Sequence, residues 1–236
     1  MSIEDTMEEK IKISVVLPVY NTPLDWVRLS IDSILNQTLQ NFELIIINDH
    51  PENDALSELL NSYDQSKHVK LIRNTTNIGL PNSLNKGIAI AHGEYIARMD
   101  ADDIAIQDRL EKQFQYLENN PETCLCGTQV IKINENGEKI GISQNPLNHN
   151  LLSKVSKYIN PLTHPTLMIR KTVLKEVGGY KNLPDAEDYE LIMHLNSKNY
   201  KMINLSEHLL KYRVHNTSVS WDRMNEQKLS IQFIQE

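Results

Sequence analysis

The sequence predicts an α/β protein: a three-layer α/β/α sandwich with a largely parallel central sheet and a smaller sheet in its second half. Three observations predict it. In the first hundred residues, apolar β-branched runs alternate four times with segments of helical spacing, and βα units in succession build a parallel sheet. The runs at 13–19 and 42–47 are apolar at nearly every position rather than every second one, which marks strands covered on both faces. The 236 residues, 40% hydrophobic and 23% charged, suit one sizeable domain with an ordinary soluble core.

Each element has its own reason. Residues 13–19 form the first strand and 42–47 the second. Residues 26–35 between them carry apolar side chains at helical spacing. A helix over 54–63 places Leu56, Leu59, Leu60 and Tyr63 on one side. Residues 69–72 are a short third strand. The helix over 81–91 aligns Leu84, Ile88 and Ala91, with Pro81 acceptable in its first turn. Residues 94–99 are the fourth strand. The texture then changes. A helix over 109–119 turns Leu110, Phe114 and Leu117 inward, a strand covers 124–133, and Asn136-Gly137 is a turn. A strand over 166–169 leads into a helix over 171–177, which Gly178-Gly179 stops. A helix over 187–197 and a short strand over 209–214 complete the fold.

Bulk properties exclude several roles. The net charge of −7 argues against a nucleic-acid partner, which needs a basic face. The first twelve residues are polar, without a signal peptide's apolar core, and no stretch has the length of a membrane span. Cys124 and Cys126 are too close for an easy disulfide and read as buried small hydrophobes. A cytoplasmic setting fits, with peripheral contact to the inner membrane left open. Lys171, Lys175, Lys198 and Lys201 are candidates for touching an anionic leaflet, although scattered lysines are normally just solvated.

The chemistry concentrates where the strands end. Arg98-Met99-Asp100-Ala101-Asp102-Asp103 follows the fourth strand. Strand side chains two apart share a face, so Asp100 and Asp102 converge just beyond the strand. Two carboxylates aimed at one point repel unless a cation or protons sit between them. Read alone, the block is either a divalent-metal site open to a phosphate or an acidic helix start. No Gly-x-Gly-x-x-Gly and no phosphate loop of the NTPase type occurs. Instead the first strand delivers Pro18, Tyr20 and Asn21, the second Asn48-Asp49, and the third Arg73 with Asn77-x-Gly79. In open parallel sheets, ligands gather at these carboxyl ends.

Ser14-Val15-Val16-Leu17-Pro18-Val19-Tyr20-Asn21, Glu43-Leu44-Ile45-Ile46-Ile47-Asn48-Asp49, Asn77-x-Gly79 and Asp100-x-Asp102 together resemble the family-2 inverting glycosyltransferases of GT-A fold. The likeness continues through Thr163-His164-Pro165-Thr166, Gly178-Gly179-Tyr180, Ala186-Glu187-Asp188 and Tyr212-Arg213-Val214-His215-x-x-Ser218, and covers roughly 13–220. One departure stands out: the family usually has Asp-Asp-Gly-Ser after the second strand, and here the residues are Asn48-Asp49-His50-Pro51. On this likeness, 1–12 is a polar tail and 13–220 is one domain. Its nucleotide-sugar half is 13–103, its acceptor half is 104–220, and 221–236 is a helical segment.

The resemblance implies roles residue by residue. Asp49 would read the ring N–H of uracil, and Arg73 would lie near the base or pyrophosphate unless it is a solvated strand-end charge. Asp100 would contact ribose or metal. Asp102 would bind the metal, Mn²⁺ or Mg²⁺, with His215 as a ligand favouring Mn²⁺. His164 would position an acceptor hydroxyl or simply close a loop. Asp188 would be the general base, and Glu187 would orient the acceptor sugar. The implied reaction moves galactose or glucose from a UDP-sugar to a saccharide in a β linkage. The implied acceptor is a lipid-linked N-acetylglucosamine of O-antigen or capsule assembly. A nucleotidyltransferase is the main alternative, but residues 18–24 lack a Gly-rich basic loop. A non-catalytic nucleotide-sugar-binding subunit is the other, yet Asp102 and Asp188 are both retained.

Overall fold

The computed structural model describes residues 10–183 and 186–215. Nine strands and seven α-helices are described: β1 (Ile13–Val19), α1 (Leu24–Leu35), β2 (Phe42–Asn48), α2 (Asp54–Asn61), β3 (Val69–Arg73), α3 (Leu80–Ile90), β4 (Tyr95–Arg98) and β5 (Ile104–Ala105) in the first half. There follow α4 (Arg109–Asn119), β6 (Thr123–Ile133), β7 (Lys139–Ile142), α5 (His149–Val155), β8 (Met168–Arg170), α6 (Lys171–Glu176), α7 (Glu187–Ser197) and β9 (Lys201–Arg213). The expected helical segment over 221–236, most of the N-terminal tail and Ser218 lie outside the described residues.

The strands run in the order β3-β2-β1-β4-β8-β6-β9-β5, with β7 on the edge of β6. β1 pairs parallel with β2 and with β4, and β2 pairs parallel with β3. The chain lays down β1, β2 and β3 in one direction, then places β4 on the other side of β1. This reversal opens a crevice beyond the carboxyl ends of β1 and β4. The strands of the second half do not stand apart. β8 pairs antiparallel with both β4 and β6, so the smaller acceptor-side sheet continues the first.

Alternation along the central strands explains the layers. Val15 and Leu17 of β1 and Leu44 and Ile46 of β2 face one side, against Val27 and Ile31 of α1, Leu56 and Leu60 of α2, and Leu110 of α4. Val16, Ile45 and Ile47 face the other, against Leu84 of α3, Leu152 of α5, Leu174 of α6 and Leu191 of α7. All are essentially fully buried, each worth about 1.5–3 kcal/mol relative to exposure.

Most boundaries follow the sequence pattern, and the departures have physical reasons. Thr166 belongs to a 3-10 turn over His164–Thr166, with Pro165 inside it, so the strand starts two residues later at Met168. The final strand is thirteen residues long, not six. It bulges against β6, and the exposed Ser206 and Glu207 break the apolar pattern. α5 buries only Leu152 and starts on the Asn148 side chain, which accepts from the Leu151 N–H at 3.0 Å. One buried residue leaves no periodicity to read.

Candidate active site

The site is built on the loops beyond β1–β4 and on the start of α7. Asp49, the first residue after β2, is buried. Its Oδ1 accepts from Asn74 Nδ2 at 2.7 Å and from the Ile78 N–H at 2.9 Å, and its Oδ2 accepts from the Gly79 N–H at 3.0 Å. Asn77 Oδ1 accepts from the same Gly79 N–H at 2.9 Å. Asp49 therefore ties the β2, β3 and α3 junctions together, and its Oδ2, with a single donor on it, retains a lone pair. Gly79 has a φ of +82° with nothing within 4 Å of where a Cβ would be, so it leaves an open backbone face beside Asp49. Tyr20 is exposed and its ring centroid lies 4.9 Å from that of His50. His50, where the sequence departs from the family pattern, thus packs on the end of β1, and its Nδ1 is 3.2 Å from the Tyr20 carbonyl. Pro18 is half-buried within β1, and Asn21 is exposed just beyond it. Arg73 is not drawn into this group: its guanidinium donates to the Asn61 side chain on α2.

The acidic run after β4 folds into a knot. The chain leaves the strand at Arg98 and turns through Ala101 and Asp102. The convergence expected from strand alternation is made by this turn instead, and it brings in a third carboxylate. Ligand oxygens of Asp100, Asp102 and Asp103 all lie within 4.8 Å of one another. The buried Arg98 sets its Nη1 2.5 Å from Asp100 Oδ1. Asp103 is also buried, and its Oδ1 accepts from the Arg213 N–H at 2.8 Å. Burial pushes the Asp103 carboxyl well above the usual range, and the charges of Asp102 and Asp100 add to this. His215 Nε2 stands 2.9 Å from Asp102 Oδ2. Trp26 carries the group from below, with the Arg213 guanidinium 4.6 Å and the His215 ring 5.0 Å from its ring centroid.

These residues fit a hard divalent cation. The donor set is mostly carboxylate oxygen, and Asp103 Oδ2 is buried with no hydrogen-bond partner among the described residues. Asp100, Asp102 and His215 would hold the ion, with Asp103 behind them.

On the opposite side, α7 begins with Glu187 and Asp188. Asp188 Oδ2 accepts from Asn160 Nδ2 at 2.8 Å and its Oδ1 from the Tyr189 N–H at 2.7 Å. Burial raises the Asp188 carboxyl, and those hydrogen bonds and the Arg98 charge pull it part of the way back. Glu187 is buried with its Oε1 3.9 Å from His164 Nδ1. His164 Nε2 is 3.0 Å from the Tyr180 hydroxyl. Burial, aided by the Arg98 charge, holds the His164 pKa well below its ordinary value, so it is neutral near pH 7. Tyr180 is set by Asn85, whose Oδ1 accepts from the Tyr180 N–H and whose Nδ2 donates to its carbonyl.

Sequence reasoning missed Arg98, Asp103, Tyr180 and Asn160 as members of this constellation. Arg98 and Asp103 had a signal, a basic residue and a third acid in the same run. Asn160 had none, since its contact with Asp188 is made only by the fold.

The family 2 profile, Glycosyl transferase family 2, matches residues 14–178. The chain belongs to this family. It is 41% identical over 211 residues to the O-antigen biosynthesis glycosyltransferase WbnJ of Escherichia coli, covering 87% of this chain and 81% of that one. It is 37% identical to the glycosyltransferase MJ1057 of Methanocaldococcus jannaschii, covering 94% and 77%. Among solved structures, S. aureus TarS in complex with UDP-GlcNAc has the same fold, with a TM-score of 0.73 at 19% identity. That match covers 93% of this family 2 chain but 65% of TarS, so the chain spans less than two thirds of the TarS structure. Among the described residues of this family 2 chain, no helix is long and apolar enough to cross a membrane.

Proposed function

We propose that this chain is an inverting hexosyltransferase. It moves galactose or glucose from a UDP-sugar to N-acetylglucosamine on an undecaprenyl diphosphate carrier in O-antigen or capsule assembly, forming a β linkage. The observation that carries the reading is the pairing of two acidic groups around one buried cation. Asp100 is ion-paired with Arg98, and the Arg98 charge also acts on Tyr180, Glu187 and Asp188. Support for the acceptor comes from relatives: WbnJ is named for O-antigen biosynthesis, and AmsE of Erwinia amylovora, 29% identical, for amylovoran biosynthesis. Support for the donor comes from TarS, solved with UDP and with UDP-GlcNAc.

The chemistry is a single in-line displacement. Asp188, ionised and oriented by Asn160, accepts the proton of the attacking hydroxyl. The acceptor oxygen bonds to the anomeric carbon as the bond from that carbon to the diphosphate oxygen breaks, and UDP leaves. One displacement turns an α-linked donor into a β product. Glu187 and His164 orient the acceptor sugar from the buried wall. Asp49 Oδ2 takes the uracil ring N–H, and the Gly79 backbone and the Tyr20 ring lie beside the base and ribose. A divalent ion, when bound by Asp100, Asp102 and His215, would supply positive charge to the departing diphosphate.

A UDP-release screen tests the reading, using a panel of UDP-sugars and a short-chain N-acetylglucosamine diphospholipid. UDP-galactose or UDP-glucose should release UDP only with acceptor present. Release from GDP- or CDP-sugars in preference to every UDP-sugar would overturn the donor assignment.

A further inference from the structure

Two neutral groups meet at the buried wall of the crevice, and the direction of their hydrogen bond decides what that wall can recognise. His164 Nε2 lies 3.0 Å from the Tyr180 hydroxyl. A neutral imidazole donates from one nitrogen and accepts at the other, so two arrangements are possible. In one, Nε2–H donates to the Tyr180 oxygen. The Tyr180 proton then has no acceptor among the described residues, and the bare Nδ1 faces Glu187 Oε1 at 3.9 Å, a lone pair against a negative charge. In the other, the Tyr180 hydroxyl donates to Nε2, and the ring carries its proton on Nδ1, the atom that faces Glu187. Only the second arrangement satisfies both groups. Burial pushes the Tyr180 hydroxyl above its ordinary value, so it keeps the proton that it donates.

Both partners are held by fixed backbone. His164 opens the 3-10 turn over His164–Thr166. The Thr166 carbonyl accepts from the buried Gln113 side chain at 2.8 Å, and its hydroxyl oxygen accepts from the Thr128 N–H at 3.2 Å. These bonds pin the turn on α4 and β6. On the other side, Gly178 and Gly179 both have positive φ, +82° and +71°, a turn that other residues rarely adopt. A Cβ on Gly179 would collide with Asn85 Oδ1, the atom that accepts from the Tyr180 N–H at 2.9 Å. The glycine pair thus lets Asn85 set Tyr180 against His164.

The 3.9 Å between His164 Nδ1 and Glu187 Oε1 is too long for a hydrogen bond, and a gap of that size suits one bridging oxygen. Nδ1 makes no hydrogen bond among the described residues, yet it is not one of the sealed polar atoms that lack a partner, so it is open to solvent. The His164 and Glu187 side chains are 10% and 8% exposed, a narrow opening that suits one ligand group. A carboxylate offers about four lone-pair directions, so Glu187 can take a further bond beside those it already makes.

We propose that Tyr180 is a positioning residue that holds His164 as its Nδ1–H tautomer, and that His164 and Glu187 clamp one hydroxyl of the acceptor sugar between them. The oxygen of that hydroxyl accepts from Nδ1–H, and its proton is shared with the Glu187 carboxylate. The clamp selects a group that both accepts and donates: an ammonium cannot accept, an O-methyl ether cannot donate, and a deoxygenated carbon does neither. The inference rests on the saccharide acceptor proposed above and names how that acceptor is recognised. It leaves Asp188 to the attacking hydroxyl.

Two readouts on the full chain test this. The first needs no activity: long-range proton–nitrogen NMR correlation of histidine-labelled chain, with H164N assigning the His164 signals. The parent should show the Nδ1–H tautomer, and Y180F should lose that preference. The second is calorimetric binding of a short-chain N-acetylglucosamine diphospholipid in the presence of UDP, with KM and kcat from UDP release alongside. Y180F should weaken acceptor binding and raise acceptor KM about tenfold, with kcat and UDP affinity within about twofold of the parent. One singly O-methylated acceptor should bind the parent about tenfold more weakly and lose little more on Y180F. H164N keeps an amide N–H where Nδ1–H stood, so it should hold acceptor better than H164A, which guards against misfolding of Y180F. Acceptor binding that falls in Y180F and H164A while no donor is turned over would uphold the clamp and sink the glycosyl-transfer reading. An Nε2–H tautomer in the parent, or parental acceptor affinity in Y180F, would overturn the clamp. A water bridging the gap in place of the sugar would leave every O-methylated acceptor binding like the unmodified one, and that result would overturn it too.

Discussion

Arg98 is the residue on which the two sides of the site depend. Its guanidinium is buried, and burial of a cation without partners is costly. Here Asp100 lies against it, and the charge of Glu187 acts on it. The same charge favours a neutral His164 and an ionised Asp188. A pH dependence follows. Asp188 accepts a proton only when ionised, and burial raises its carboxyl above the ordinary aspartate value of about 3.9. Turnover should therefore rise with pH through a limb centred above about 4, and removal of the Arg98 charge in R98M should move that limb higher still. A limb at or below the ordinary aspartate value, measured from kcat between acid and neutral pH, would contradict this. Asp102 carries a second prediction. It is the carboxylate that meets both the acidic knot and His215. Asp102→Ala should lower turnover by about 10²-fold or more, since charge stabilisation of this kind is worth several kcal/mol. Chelation by EDTA should do the same to the parent, with recovery in Mn²⁺. Parental activity that persists in EDTA would remove the metal from the account.

At the scale of elements, the sheet has a functional end and a structural end. The carboxyl ends of β1, β2 and β4 carry Tyr20, Asp49 and the acidic knot. The amino ends are closed by a polar cluster. Ser14 Oγ donates to Glu43 Oε1 at 2.6 Å and accepts from the Gly93 N–H at 2.8 Å, and the His92 N–H donates to the same Glu43 oxygen. Burial pushes Glu43 up, but these hydrogen bonds outweigh it and hold the carboxyl below its ordinary value. Gly93 is essential to this closure, because a Cβ there would lie 2.5 Å from the Ser14 nitrogen and 2.7 Å from the Ile13 carbonyl carbon. Backbone atoms cannot swing aside, so Gly93→Ala should destabilise the fold by about 1–3 kcal/mol. Urea unfolding measures it, and activity per folded molecule should be unchanged. An unfolding free energy within about 0.5 kcal/mol of the parent would show that the approach is not tight. The elements themselves were legible to different degrees. Ile13–Val19, Arg109–Asn119 and Glu187–Ser197 match the sequence reading because their apolar periods run the full length of each element. β7, α5 and the first half of β9 were not readable, because each is marked by pairing with β6 or packing on a neighbour and not by its own pattern.

The molecule as a whole joins a parallel half to a mixed half, with β4 pairing with β8 at the centre of the sheet and β5 pairing with β9 at its edge. That junction puts the acidic turn after β4 and the start of α7 on one crevice. The sequence foretold the strand-end residues because carboxyl ends of parallel strands collect ligands in any such sheet. It also named Asp100 and Asp102 as neighbours, although the turn through Ala101 and Asp102, and not strand alternation, brings them together. It did not reveal Arg98 as the shared cation or Asn160 as the partner of Asp188, since both depend on how the second half folds back. Asp188 as the base of a single displacement is the central claim, and one variant tests it most directly. Asp188→Asn keeps the size of the side chain and cannot take a proton near neutral pH. Steady-state turnover, UDP-sugar affinity and product anomer should be measured together on the parent and this variant. The expected result is a loss of about 10²–10⁴-fold in kcat, nearly unchanged donor binding, and a β-linked product from the parent by NMR. Parental turnover in Asp188→Asn, or an α-linked product, would contradict it and leave the acids at the start of α7 as helix-end charges alone.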